Sequence, residues 1–325
     1  MGWQQGGLIF KPEGEFEWSQ SHAQVPTAVE LSKEIIRIYY ATRDRFNRSR
    51  TSFIDVDSND PTRVLYVHNR PIMNLGKPGC HDEDGVMVSS VLKIGSEIWM
   101  YYTGWSRGGS IPYRTACGLA ISKDGGYEFT RAFDGPIVDR TSAEPHFTNT
   151  PYVVCNSNFW RMWYGSGTSW VLIDDKFEPI YVIKYAESKD GFQWNQPNKL
   201  CITPKHELES NVRPSLLVID GRFEMWFCYR HSIGFRDGLG SYRIGHATST
   251  DGLTWNRLED PIGLLPGRSK WSMGMMAYPC VIQIGSRRLM FHNGDGFGKS
   301  GFGFSKWMNK ITPEDSASTS INNRG

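Results

Sequence analysis

Five short apolar and aromatic runs recur along this chain at nearly constant spacing, and that periodicity limits the possible folds more than any other feature. They span residues 35–43, 97–105, 158–166, 222–230 and 287–293. Aligned on Tyr39, Tyr101, Trp163, Trp226 and Met290, they are 62, 62, 63 and 64 residues apart. A fixed period of this kind marks an array of repeated supersecondary units, each of which buries its apolar face only against a neighbour.

Each run follows a second apolar segment across a short polar turn: Thr27–Leu31, Val86–Leu92, Tyr152–Val154, Ser215–Ile219 and Cys280–Ile284. Asp220-Gly221 and similar pairs supply the positive φ of tight hairpins, so each repeat opens with a β-hairpin. Three repeats continue into a third strand that ends in Ser-x-Asp-Gly, at Ser122–Gly125, Ser188–Gly191 and Ser249–Gly252. Phe129, Trp194 and Trp255 follow, as expected for a turn into a fourth strand. The prediction is an all-β, five-bladed β-propeller with four antiparallel strands per blade. The last repeat lacks a fourth strand, which Gly7–Lys11 is expected to supply, closing the ring and covering an open sheet edge. Residues 1–311 form one propeller domain on this reading, and 312–325 a polar, disordered tail.

Composition excludes several classes. The 36 basic and 34 acidic residues are dispersed, which argues against a nucleic-acid or polybasic lipid surface. No apolar stretch reaches the ~20 residues of a membrane span, and no secretory pattern opens the chain. Six cysteines lie far apart without metal spacing and read as reduced, buried small residues. A cytoplasmic location is the expectation, with no cofactor and no metal. Aromatic residues make up 13% of the chain, including 12 Trp. That share fits stacking on sugar rings, and equally fits ordinary strand packing.

In a propeller the inner strands converge on an axis, so the start of each inner strand and the end of its partner open on one face. This rule selects His22 and Gln24; His81, Asp82 and Asp84; Glu144, His146 and Asn149; and Glu209, Arg213 and Tyr278. From the partner strands it adds Arg43, Trp105, Arg230, His231 and Asp295. Paired carboxylates are the minimum equipment for breaking a glycosidic bond, which makes Asp84, Glu144 and Glu209 the catalytic candidates. Plainer roles stand beside these: Asp82 and Asp84 as turn residues, Glu144 as a loop acid, and Glu209 as a partner of Arg213. Arg213 and Arg230 are expected to neutralise some of the acids or, with His231, to hold an anion.

The hairpin-led repeats and the turns from Ala120 to Phe129 and Ala186 to Trp194 resemble the five-bladed propeller glycosidases. These are the arabinanase and invertase type (families 32, 43 and 68) and the mannoside phosphorylases (family 130). The resemblance implies a carbohydrate-active enzyme with funnel carboxylates as acid and base and a sugar or sugar conjugate as ligand. The hydrolases take one acid from the first blade, where this chain has Gln24. The phosphorylases use a Glu-Asp-Pro-Arg motif whose first half matches Glu83-Asp84, which favours Asp84 as general acid. The other reading is a non-hydrolytic propeller of cell-surface glycan biosynthesis, transferring or binding sugars.

Overall fold

The computed structural model describes residues 2–156, 159–236, 238–259 and 263–308. The tail expected from residue 312 lies outside them. Nearly all regular structure is β. The first sheet holds β2 (Ser21–Glu30), β3 (Ile35–Arg43), β4 (Ser49–Asp57) and β5 (Val64–Val67). The second holds β6 (Gly85–Ile94), β7 (Glu97–Arg107), β8 (Tyr113–Ser122) and β9 (Thr130–Arg131), and touches the first through a single parallel pairing of Ser49 with Gly85. Then come β10 (Thr148–Asn156), β11 (Phe159–Ile173), β12 (Lys176–Ser188) and β13 (Trp194–Leu200). They are followed by β14 (Glu209–Ile219), β15 (Arg222–His231), β16 (Arg243–Ser249) and β17 (Asn256–Leu258). The final sheet joins β18 (Ala277–Ile284), β19 (Arg287–Asn293) and β20 (Phe302–Met308) to β1 (Gly2–Phe10). The N-terminal strand is longer than expected and pairs antiparallel with β20, from Gly2 opposite Met308 to Phe10 opposite Phe302.

The repeated runs are β3, β7, β11, β15 and β19, each the second strand of its sheet. Apolar clusters fill the spaces between sheets, with Tyr39 and Phe53 against Val88 and Met100, and Trp99 against Trp160. One further cluster packs Phe291 and Phe302 of the last sheet on Ile38 and Tyr40 of the first. Burying side chains as large as Trp163 or Trp226, both 0% exposed, stabilises the fold by roughly 2–3 kcal/mol each.

The Ser-x-Asp-Gly turns fasten one sheet to the next. In the turn at Ser188, Asp190 accepts the amides of Phe192 and Gln193, and burial is slight enough that these bonds hold its carboxyl below the usual range. The Tyr101 hydroxyl of the preceding sheet donates to the Gly191 carbonyl at 3.0 Å. Tyr39 and Trp163 make the same bond to Gly126 and Gly252. A Cβ at Gly191 would meet the Tyr101 hydroxyl at 2.8 Å, and its φ of +78° favours glycine as well. Trp226 sits at the corresponding place but faces the last sheet, which has β1 instead of such a turn. Its Nε1 has no partner among the described residues, and the ring lies edge-on to Trp3.

Candidate functional site

The site is built from an irregularity that recurs in every inner strand. The pairing register slips between Gln24 and Thr27, Val88 and Ser90, Asn149 and Tyr152, Val212 and Ser215, and Ala277 and Cys280. In four strands the slip falls on an X-Pro pair: Val25-Pro26, Thr150-Pro151, Arg213-Pro214 and Tyr278-Pro279. Proline removes a ladder donor, which suits a bulge and little else inside a sheet. The preceding residues adopt φ of 51°, 45°, 57° and 57°, a strained conformation for side chains such as valine and threonine. Neighbouring sheets satisfy the displaced amides. Val25 N–H donates to Asn293 Oδ1, Thr150 N–H to Thr103 Oγ1 and Tyr278 N–H to Cys228 Sγ, at 2.7–2.8 Å. Burial pushes the Cys228 thiol up to about 12, so it stays a small neutral acceptor.

Above this layer lies a cavity of about 400 Å³, within the range of small-ligand sites. Val25, Thr150 and Tyr278 of the bulges reach it. Seven aromatic residues line it: Trp105, Tyr113, Tyr181, Phe235, Tyr242, Tyr278 and Phe297. Gln24, Asn47, Ser89, Thr103, Thr115 and Asn149 add neutral polar groups. Among the described residues the charged members are Arg43, Arg230, Arg236 and Glu178, three guanidiniums against one carboxylate.

Those charges are held differently. Arg236 forms three hydrogen bonds with Glu178, at 2.8, 2.9 and 3.2 Å. Arg230 is 2% exposed and packs its guanidinium 3.8 Å from the Phe235 ring centroid. It donates to Tyr181 and Tyr242, to Ser232, and to the Pro179 and His231 carbonyls. The Tyr181 and Tyr242 hydroxyls bond to each other. Burial opposes the charge on Arg230, but the two phenols outweigh it and hold the group protonated. Arg43 uses its Nε on Gln24 Oε1 at 3.0 Å. Burial lowers the proton affinity of Arg43.

Of the residues selected from sequence, Gln24, Arg43, Trp105, Asn149, Arg230 and Tyr278 line the cavity. Asp84, Glu144 and Glu209 do not, and each meets a cation elsewhere. Asp84 accepts the Arg107 amide at 2.9 Å and lies 3.4 Å from its guanidinium. Glu144, 1% exposed, accepts the Tyr164 and Ser166 hydroxyls and lies 3.5 Å from Lys184 Nζ. Glu209, 3% exposed, pairs with Arg257 of β17 and not with Arg213. Asp82 follows the same pattern with Tyr102 and Arg131 of β9. A buried carboxylate without such a partner would be strongly disfavoured, and the later strands of the same sheet provide one in each case.

Arg213 differs from expectation for a related reason. Its bulge turns the side chain inward, below the cavity, where it is 1% exposed and bonds Ser89 O, Pro26 O and Thr27 Oγ1. It therefore ties β14 to β6 and β2, and touches none of the acids it was expected to neutralise. Arg230 likewise contacts phenols and carbonyls in place of acids. His22 bonds Ser21, and burial, aided by the charges of Arg43 and Lys299, lowers its pKa to about 4. His81 stacks on Tyr102, His231 bonds the Ile233 amide, and His146 is half-buried away from the cavity wall. Asp295 accepts the amides of Met273, Gly274 and Met275. Among the described residues no group of three His, Cys, Asp or Glu side chains is arranged to hold a metal ion.

Tyr113, Glu178, Tyr181, Phe235, Arg236 and Tyr242 were missed by reading inner-strand positions alone. Tyr113 opens the third strand β8, Glu178 and Tyr181 lie in the third strand β12, and Phe235, Arg236 and Tyr242 lie in the connection from β15 to β16. The β11–β12 hairpin outgrows the others, and residues 232–242 separate β15 from β16. Unequal spacing at this point of the repeat was the available signal.

No family model matches the sequence. Two proteins of Mycobacterium tuberculosis, MT1551 of strain CDC 1551 / Oshkosh and Rv1502 of strain ATCC 25618 / H37Rv, are each 35% identical over 304 residues, 93% of this chain and 98% of theirs. Both are described as uncharacterized. Among solved structures, one described as a glycoside hydrolase superposes with a TM-score of 0.72 at 14% identity, covering 95% of this chain and 92% of that one. A thermostable family-43 glycoside hydrolase gives 0.63 at 16%, covering 90% and 92%. A structure from the family-130 mannoside phosphorylases, which contain glycoside hydrolases targeting β-1,2-mannosidic linkages, gives 0.62 at 14%, covering 95% and 94%. At such identities the likeness is one of fold, and the resemblance to propeller glycosidases read from the sequence holds at that level.

Proposed function

The chain belongs to the same family as Rv1502 of Mycobacterium tuberculosis, and we propose that it is a carbohydrate-active, five-bladed propeller that holds a sugar in its axial cavity. The five sheets are the blades, residues 1–311 one domain, and β1 the strand that closes the ring. The unpaired state of all six cysteines supports a reducing, cytoplasmic setting.

The observation that carries the functional reading is the cavity wall. Seven aromatic rings share the lining with hydroxyl and amide side chains in a space the size of one or two sugar units. Aromatic faces take the C–H side of a pyranose, while its hydroxyls exchange bonds with Gln24, Asn149 and Thr103. Solved structures of like fold described as glycoside hydrolases support the same ligand class.

The wall favours sugar transfer or sugar recognition over hydrolysis by two carboxylates. Hydrolysis of the usual kind needs two carboxyl groups about 5–10 Å apart across the bond. Glu178 is the single carboxylate among the described lining residues, and Arg236 engages it. Asp84, Glu144 and Glu209 would have to leave Arg107, Lys184 and Arg257 to act as acid or base.

The test is calorimetric titration with a panel of sugars and sugar conjugates, paired with an assay for release of aryl glycosides. Saturable sugar binding weakened at least tenfold by Trp105→Ala is the expected result. Binding that ignores Trp105→Ala and Tyr278→Ala would refute the cavity as the site. Hydrolysis abolished by Asp84→Asn and Glu209→Gln would replace this reading with the two-carboxylate one.

A further inference from the structure

Among the described residues Arg43 is the one cavity-lining arginine whose charge and donors are not absorbed by the protein. Arg236 is matched by Glu178, and every nitrogen of the Arg230 guanidinium has a phenol, hydroxyl or carbonyl acceptor. Among the described residues Arg43 has a single protein acceptor, Gln24 Oε1, and no carboxylate lies within 4.0 Å of it. The nearby acid Asp44, one residue on, is taken by Arg48 and Arg50 at 2.8 Å each. The other charged or titratable groups about Arg43 are Tyr278, Arg236 and His22. None of them supplies a negative charge at neutral pH.

Position 24 makes this arrangement specific. Gln24 is 2% exposed and lies on β2 opposite Ala41, which stands two residues before Arg43 on β3. An acidic residue there would receive the same Nε–H and neutralise the guanidinium. Glutamine receives the bond, fixes the plane of the fork and leaves the charge intact. A partly dehydrated cation held in one orientation and lacking a counter-charge is unfavourable unless a ligand completes it. A planar guanidinium with both terminal nitrogens unused matches the two oxygens of a phosphate or a carboxylate.

We propose that the ligand of this cavity is an anionic sugar, bearing a phosphate or a carboxylate that Arg43 binds and that Gln24 admits by orienting Arg43 without neutralising it. This rests on the reading of the cavity as a sugar site and names the class of sugar. The surplus of guanidiniums over carboxylates on the wall attracts such a group on approach.

The experiment is isothermal titration of the full chain with hexose 1-phosphates, hexuronates, the corresponding neutral methyl hexosides and inorganic phosphate. The parent, Gln24→Glu and Arg43→Gln are compared, with melting curves to confirm that each variant is folded. The expected result is at least tenfold tighter binding of a charged hexose than of its neutral counterpart, and a fall of at least tenfold in that ratio in both variants. Preference for the 1-phosphates or for the hexuronates identifies which anion is carried. Equal affinity for charged and neutral sugars overturns the proposal and leaves the sugar site standing, as does a charge preference that survives both substitutions. Binding of inorganic phosphate without any sugar, or of no member of the panel, overturns both.

Discussion

Replacing Tyr101 by phenylalanine isolates the bond that links each sheet to its successor. The ring is 0% exposed and packs in a cluster that phenylalanine preserves, so the change removes only the hydroxyl. That hydroxyl donates to the buried Gly191 carbonyl at 3.0 Å, and the same oxygen accepts Trp194 Nε1 at 3.1 Å. The carbonyl therefore keeps one donor in Tyr101→Phe, and the loss is that of an ordinary net bond, about 1 kcal/mol. Trp194→Phe alone also leaves one donor. With both substitutions the buried oxygen has neither, and the desolvation of an orphaned acceptor adds about 1–2 kcal/mol beyond the sum of the single changes. For a chain of this length 1 kcal/mol shifts the melting midpoint by about 1.5 °C. Urea denaturation of the four proteins of this cycle, checked by thermal melts, reads both quantities. A single change within about 0.3 kcal/mol of the parent, with strict additivity in the double, would refute the idea that the repeating aromatic locks the adjoining turn.

Three further outcomes are expected. Glu144→Gln leaves Lys184 buried without its carboxylate and lowers stability by roughly 3 kcal/mol, measured by denaturant titration; an unchanged midpoint would mean the ion pair is not structural. A Cβ at Gly85 would fall 1.6 Å from Trp105 Nε1, so Gly85→Ala pushes the indole into the cavity and weakens sugar binding several-fold while every polar lining group is retained; unaltered affinity would argue against Trp105 as a binding wall. Burial lowers the His292 pKa from 6.5 to about 4, so the unfolded chain takes up the proton first as pH falls. Stability is then complete above pH 6.5 and declines by up to roughly 3 kcal/mol on the way to pH 4. His22 titrates over the same window. His292→Gln should flatten part of that slope, and a slope identical to the parent's would rule out His292 as its source.

The scaffold was largely legible because it follows from local pattern. Alternation and turn chemistry mark a hairpin whatever surrounds it, and the five runs expected between residues 35 and 293 fall on β3, β7, β11, β15 and β19. The pairing of the N-terminal segment with the last strand was readable too, since an unpaired strand edge demands a partner, although the strand begins at Gly2 and not at Gly7. The repeated X-Pro pairs at 26, 151, 214 and 279 were equally visible in the sequence. Their meaning, a bulge that brings Val25, Thr150 and Tyr278 to the cavity, depends on strands packed beside them.

The candidate site divides along the same line. By itself the sequence picked out Gln24, Arg43, Trp105, Asn149, Arg230 and Tyr278 among the residues that line the cavity, and the departure at Gln24 from the acid that the resemblance implies. Only the tertiary structure decided which of those residues are available. Arg131, Lys184 and Arg257 lie 49, 40 and 48 residues after the acids they engage, and no periodicity announces those pairings. Folding brings each cation to its carboxylate because a buried charge needs a partner, and it leaves Arg43 beside Gln24 with a charge that no acid among the described residues meets. Which side chains are consumed internally and which are left for a ligand is a property of contacts between distant segments, and contacts are settled only when the sheets pack.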